Sequence, residues 1–368
     1  MARPNDPTQA SRRRPNGSAE PQRVAIAFDG EPRPDKAVSD LVIVDPASLR
    51  DALVNAGIAA STVFASPAPE GGPDALTVIA DGPDMAMDWW RRARRLVPVT
   101  GRWPVVTQVD LAGDELPPNG IISGGLDVGG VARHVSDTVL RRPYYDAMRP
   151  RAEVLHAAEG LDLDDALAAR ADARRDGWIR EEPQRWAEFA AEETLARFGT
   201  RPRGMEVTVL MEQALRAHDP ELTAERALFD WEHCHVPIDD LSRSFPLPSV
   251  PFHWYEGWPM LLLFLPTPHG WEAPAHLCWF GAETDTDLHV RAMRSWHDRY
   301  GAELRIMRGT DMVLDVAMGP LDHEEAWALA GAHRCFGTDT MIAARLPLRH
   351  YAWHLLHRPQ SWYLYARP

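Results

Sequence analysis

The sequence predicts an α+β fold. It has a C-terminal ferredoxin-like βαββαβ-type domain, an N-terminal α/β half, and a charged helical insertion joining them. Three observations predict it. After a strand expected at 260–265, capped helical segments and short apolar runs follow in the order β-α-β-β-α-α-β. Before residue 130, short β-like runs are separated by Pro- and Gly-rich links. Residues 131–235 are dense in charge and carry apolar residues at helical spacing. The organisation that follows is a disordered tail over 1–22, an α/β part over 23–130, a helical linking segment over 131–235 and a C-terminal domain over 236–368.

The N-terminal part reads as strands at 24–28, 41–44 and 76–80, with a link over 66–73. Asp84 is placed to cap a helix running to Leu96, which carries Trp89 and Trp90. A turn at Thr100, Gly101 and Arg102 leads into a buried strand over 103–109. Residues 113–130 read as loop. Its paired glycines, Gly124-Gly125 and Gly129-Gly130, lack the lysine and hydroxyl residue that would make a phosphate cradle. In the insertion, Leu161, Leu163, Ala166, Leu167 and Ala171 follow helical spacing. Pro183 suits a helix start, and a second helix is expected over 220–232.

From residue 260 the signals sharpen. A turn at 266–270 separates the strand at 260–265 from a returning strand expected over 275–280. Thr284 and Asp287 resemble a capping box opening a helix, whose inner face is Leu288, Ala292, Met293, Trp296 and Tyr300. Gly301 stops it. A hairpin over 303–318 turns around Gly309, Thr310 and Asp311. Asp322 caps the next helix, a further one covers 342–357 with a break at Pro347, and an aromatic strand closes the chain at 362–365.

Composition excludes several function classes. The formal charge is −14 over 368 residues, against the basic footprint of a nucleic-acid binder and against docking on an anionic membrane. At 45% hydrophobic the composition is globular. The longest apolar run, 260–265, falls far short of the ~20 residues of a membrane span. Arg12, Arg13 and Arg14 are followed by Pro15, Asn16, Gly17 and Ser18, so no twin-arginine export signal is expected. Cys234, Cys278 and Cys335 are sparse and widely spaced, a poor disulfide framework that fits a reducing interior. A cytoplasmic location is expected. Lys36 stands alone among arginines, which suggests a GC-rich bacterial genome.

Two strings carry a family resemblance. Leu265-Pro266-Thr267-Pro268-His269-Gly270-Trp271-Glu272 is followed by Ser295-Trp296-His297-Asp298-Arg299-Tyr300-Gly301-Ala302-Glu303. Together they resemble the bacterial family catalogued as domain of unknown function 4253, over about 255–368. The stretch with Trp89, Trp90 and Trp103, about 76–110, is more loosely similar to the N-terminal part of longer members. This chain departs from the family pattern at Arg334-Cys335-Phe336-Gly337-Thr338-Asp339 and in ending Ala366-Arg367-Pro368. The resemblance implies a fold and supplies no activity.

The candidate binding residues are Trp103, Trp271, Glu272, Trp296, His297, Tyr300 and Glu303. Trp271 and Glu272 follow a Pro/Gly turn, where a tryptophan is a plausible recognition anchor or a plug under a hairpin. His297 is a candidate general base with Glu303 orienting it, or a flank of a buried face. Glu232-His233-Cys234-His235 is the densest ligand-type cluster, and His350, His354 and His357 share one helical face. Neither completes a metal-ligand pattern, so no metal and no cofactor is expected. No nucleophile elbow or nucleotide fingerprint is present.

The leading functional expectation is a non-catalytic module that binds a protein partner, in an immunity-type version a basic toxin met by charge complementarity. The competing expectations are a hydrolase-like enzyme with a cleft between the two halves, and a metal-dependent regulator.

Overall fold

The structure is a computed structural model. It describes residues 42–60, 62–69, 73–108, 128–141, 149–172, 183–199, 209, 212–217, 219–235, 260–282, 285–337, 339–341, 346–357 and 360–367. The expected tail, the expected strand at 24–28 and the glycine pair Gly124-Gly125 lie outside these residues.

Among the described residues, seven strands form a single mixed sheet. They are β1 (Val63–Ser66), β2 (Ala75–Ala80), β3 (Trp103–Gln108), β4 (Met260–Leu265), β5 (Glu303–Arg308), β6 (Asp311–Asp315) and β7 (Ser361–Tyr365). Their order is β1-β2-β4-β3-β5-β6-β7. The β3–β5 pair is parallel and the other pairs are antiparallel. β4 reads Met-Leu-Leu-Leu-Phe-Leu and is buried at every position, as befits a central strand covered on both faces.

The helices are α1 (Pro46–Asn55), α2 (Pro83–Arg94), α3 (Val97–Thr100), α4 (Val128–His134), α5 (Arg151–Gly160) and α6 (Leu163–Asp172). Then come α7 (Pro183–Phe198), α8 (Pro220–His235), α9 (Thr286–Tyr300), α10 (His323–Phe336) and α11 (Leu348–His357). A π turn, Val135–Val139, continues α4.

The α+β class is as expected; the ferredoxin-like order is not seen. β2 and β3 both run antiparallel to β4, so they are parallel to one another and joined through α2 and α3. That is a split βαβ unit in the N-terminal part, and its middle strand comes from the C-terminal part. Within 260–365, β5, β6 and β7 form a meander set apart from β4 by β3. One hydrophobic core runs through both parts. The two halves therefore share a sheet.

The returning strand expected over 275–280 is absent. Gly270–Ala275 and Phe280–Ala282 are 3₁₀ turns. Both edges of β4 are already paired, by β2 and β3, so no place remains for a hairpin partner. Pro274 would also lack a ladder donor there. Residues 42–44 are irregular rather than a strand, and Asp45 caps α1 by accepting from Ser48 N at 2.8 Å. Pro83, not Asp84, opens α2; Asp84 lies in its first turn. α8 runs three residues past the expected end.

The other C-terminal expectations hold. α9 buries Leu288, Ala292, Met293, Trp296 and Tyr300, and Gly301 ends it at φ 60°, a left-handed position that favours glycine. Asp322 caps α10, accepting from Glu325 N at 2.9 Å. Arg102 is the unforeseen fastening. Its buried guanidinium donates to the carbonyls of Ile43, Asp74 and Phe264, tying the chain before α1 and before β2 to β4.

Candidate functional site

The turn after β4 is built by hydrogen bonds within its own sequence. Thr267 Oγ1 donates to Glu272 and accepts from His269 N, and Glu272 N donates to the His269 carbonyl. Trp103 N donates to the Thr267 carbonyl at 2.6 Å, so β3 carries the turn. Gly270 lies flat on the Trp103 indole. A Cβ there would stand 2.6 Å from the ring, which excludes any side chain. Trp103 itself is buried and donates through Nε1 to the Leu304 carbonyl at 2.9 Å.

On this support sit three rings. His269 stacks on Trp271 at 4.3 Å between centroids, and His297 meets the same indole at 4.5 Å, tilted by 50°. All three are half-buried. Trp271 also packs against the small apolar cluster of Val154, Ala158, Ala275 and Val290, so α5 braces it from below. Burial pushes the His269 imidazole down. Glu272 pulls the other way, and His297 and Arg294 add to the lowering. The two sequence strings that carry the family resemblance thus meet in space, at Trp271 and His297.

The remaining candidates point elsewhere. Trp296 is buried against His333 (4.6 Å), Phe336 (4.8 Å) and Trp362 (6.0 Å). Tyr300 lies edge-on to Trp362 at 5.3 Å and donates to Glu325 at 3.1 Å. Glu303 is bound in bidentate fashion by Arg94 of α2. His297 Nδ1 lies 3.2 Å from the Ala302 carbonyl. One face of α9 serves the core, and the residue beside Trp296 serves the surface.

The two histidine-bearing clusters in the sequence also come together. Glu232 of α8 reaches Arg349, His350 and Trp353 of α11, each at 3.2 Å. Arg349 donates as well to Glu225 and Glu193, both at 2.6 Å. Arg349, His350 and Glu232 are essentially buried. Burial opposes the charge on Arg349, but its three carboxylates hold the guanidinium above its usual range. Burial likewise pushes Glu193 up, yet His350 and Arg349 prevail and hold it down to about 2. This network pins α7 and α8, from the insertion, to the last helix of the chain. Sequence reading missed Glu193, Glu225 and Arg349, because no local spacing links residues on three separate helices.

Among the described residues, Asp230, His323 and Glu324 bring ligand-type atoms within 4.8 Å of one another. Arg226 already bridges the two carboxylates, so a cation's place there is taken by a guanidinium. His233 stacks on His323 at 4.1 Å, and His235 Nδ1 lies 2.8 Å from the Trp231 carbonyl. His354 and His357 pack beside Tyr351 and Trp353.

Residues 261–365 match the family model described as Domain of unknown function (DUF4253). The match opens inside β4 and closes on the last residue of β7, so β3, which separates β4 from β5, lies outside it. No curated protein and no solved structure matches the chain. No described helix is long and apolar enough to cross a membrane.

Proposed function

We propose that the protein is a non-catalytic binding module that engages a protein partner through the surface around Trp271. The observation that carries this reading is the ring cluster of His269, Trp271 and His297, mounted on a turn that Trp103 and α5 hold rigid. Half-buried aromatics on a preorganised support are the usual anchors of protein interfaces, because little side-chain entropy is lost on binding. The formal charge of −14 favours a basic partner and fast encounter at low salt. Catalysis is the weaker reading, since Glu303, the group needed to orient His297, is held by Arg94.

The test is affinity capture from the source cells with the full chain and with W271A, at low and at moderate salt. The expected result is a basic partner retained by the native chain and weakened at least about tenfold by W271A, the loss typical of an interface anchor. A partner held equally by both chains, or none above background at low salt, overturns the proposal.

A further inference from the structure

α9 and α10 meet at His289, whose imidazole is fully buried. Its Nδ1 lies 2.8 Å from the carbonyl oxygen of Asp285, the N-cap residue of its own helix. Its Nε2 lies 3.0 Å from the carbonyl oxygen of Phe336, the last residue of α10. Both partners are carbonyls, which accept hydrogen bonds and never donate. A neutral imidazole has one N–H, so it bonds one carbonyl and turns a bare lone pair on the other. The imidazolium donates to both. The Phe336 carbonyl belongs to the last turn of a helix, where positive charge is favoured.

We propose that His289 is a pH-sensitive joint between α9 and α10: neutral, it bonds one of the two carbonyls, and protonated, it bonds both while burying a charge. The charged groups facing it are Arg170 of α6 and Asp285, which pair with each other at 2.9 Å; Arg170 also donates to the Gly281 carbonyl. The Phe336 ring closes the site edge-on at 4.3 Å. Burial, with Arg170 adding to it, pushes the imidazole down to about 4, against the pull of the two carbonyls and Asp285. The joint therefore changes its bonding on the acid side of neutrality, near 4. What hangs on it is the segment after α10. Asp339 N donates to the Tyr365 carbonyl and Thr340 Oγ1 accepts from Tyr365 N, covering the end of β7, an edge strand.

The folded value lies below the ordinary 6.5, so the unfolded chain takes up this proton first. The contribution of His289 to global stability is thus fully present above about 6.5 and is lost as pH falls toward about 4. The same sign holds for a local opening that bares the ring to water: protonation favours it, and the second bond offsets only part of that loss.

The test follows the full chain from neutral pH down past the titration of His289. Ring ¹⁵N resonances report the protons, and hydrogen exchange, corrected for its intrinsic pH dependence, reports amides 334–337 against 326–330. The expected result is one bare ring nitrogen at neutral pH and two protonated ones below about 4, the folded-state value set by burial. Protection of 334–337, whose opening bares the ring, should fall several-fold relative to 326–330 in the same step. His289→Gln, which keeps an amide donor and cannot gain a proton, should fold and lose the step. A ring that never becomes doubly protonated before the chain unfolds, or a step that persists in H289Q, overturns the proposal.

Discussion

The region around Trp296 and the helical insertion are held by opposite means. Trp296, Trp362, Phe336 and Tyr300 pack ring against ring, with the His333 imidazole among them pushed down to about 3 by burial and by His354. α7 and α8, by contrast, reach α11 through a guanidinium gripped by three carboxylates, set beside the packing of Phe229 on Trp353. Apolar packing is proportional to area and indifferent to salt and moderate pH. A buried ion network loses much of its Coulomb gain to desolvation, and what it supplies best is a single permitted geometry. The same chain thus uses area to hold its sheet and adds charge to area where it positions its insertion.

Four outcomes test that contrast. The largest is Trp296→Ala, expected to cost about 4 kcal/mol and to lower the denaturant midpoint of the whole sheet. Next is Arg349→Ala. It leaves Glu193, Glu225 and Glu232 facing one another and should cost about 3 kcal/mol. Limited proteolysis should then cut within 183–235 while 260–365 stays intact; cleavage at equal rates in both would mean that the network does not act on the insertion alone. Third is acid. Glu193 is held down to about 2 from an ordinary 4.5, and Glu232 is also lowered, so their contribution is fully present above about 4.5 and is lost as pH falls toward 2. Exchange in α7 and α8 should rise through that window before exchange in β4 does, and the reverse order would sink the contrast. The smallest is Asp322→Ala, which removes the cap on α10 and should cost about 1 kcal/mol by thermal denaturation, at any salt concentration.

Local signals made the C-terminal elements legible. The buried spacing of α9, the glycine at 301 and the aspartate at 322 each act within a few residues, so the sequence displays them directly. The sheet order was not legible, because β4 chooses partners, β2 and β3, that lie far upstream in the chain. Residues 275–280 show why: an apolar stretch after a turn looks like a hairpin strand until another strand is known to fill the slot. In the candidate site, Trp271 and His297 were legible as a pair of strings but not as a contact. Trp296 and Tyr300 carry the same α9 spacing that buries them, which the helical face had already indicated. The Arg349 network was illegible for a different reason. Charged residues are common on helices, and only tertiary packing decides which of them are taken from water.

The placement of β4 also sets a timetable. A ribosome releases β2 and β3 long before 260–265 emerges, and at about 5–20 residues per second the interval is on the order of ten seconds. Throughout it, the slot between two parallel strands stands without its middle member. The nascent N-terminal part must then either wait loosely collapsed or borrow a strand from elsewhere. Translation speed across the insertion, as much as sequence, governs how often the right strand arrives first.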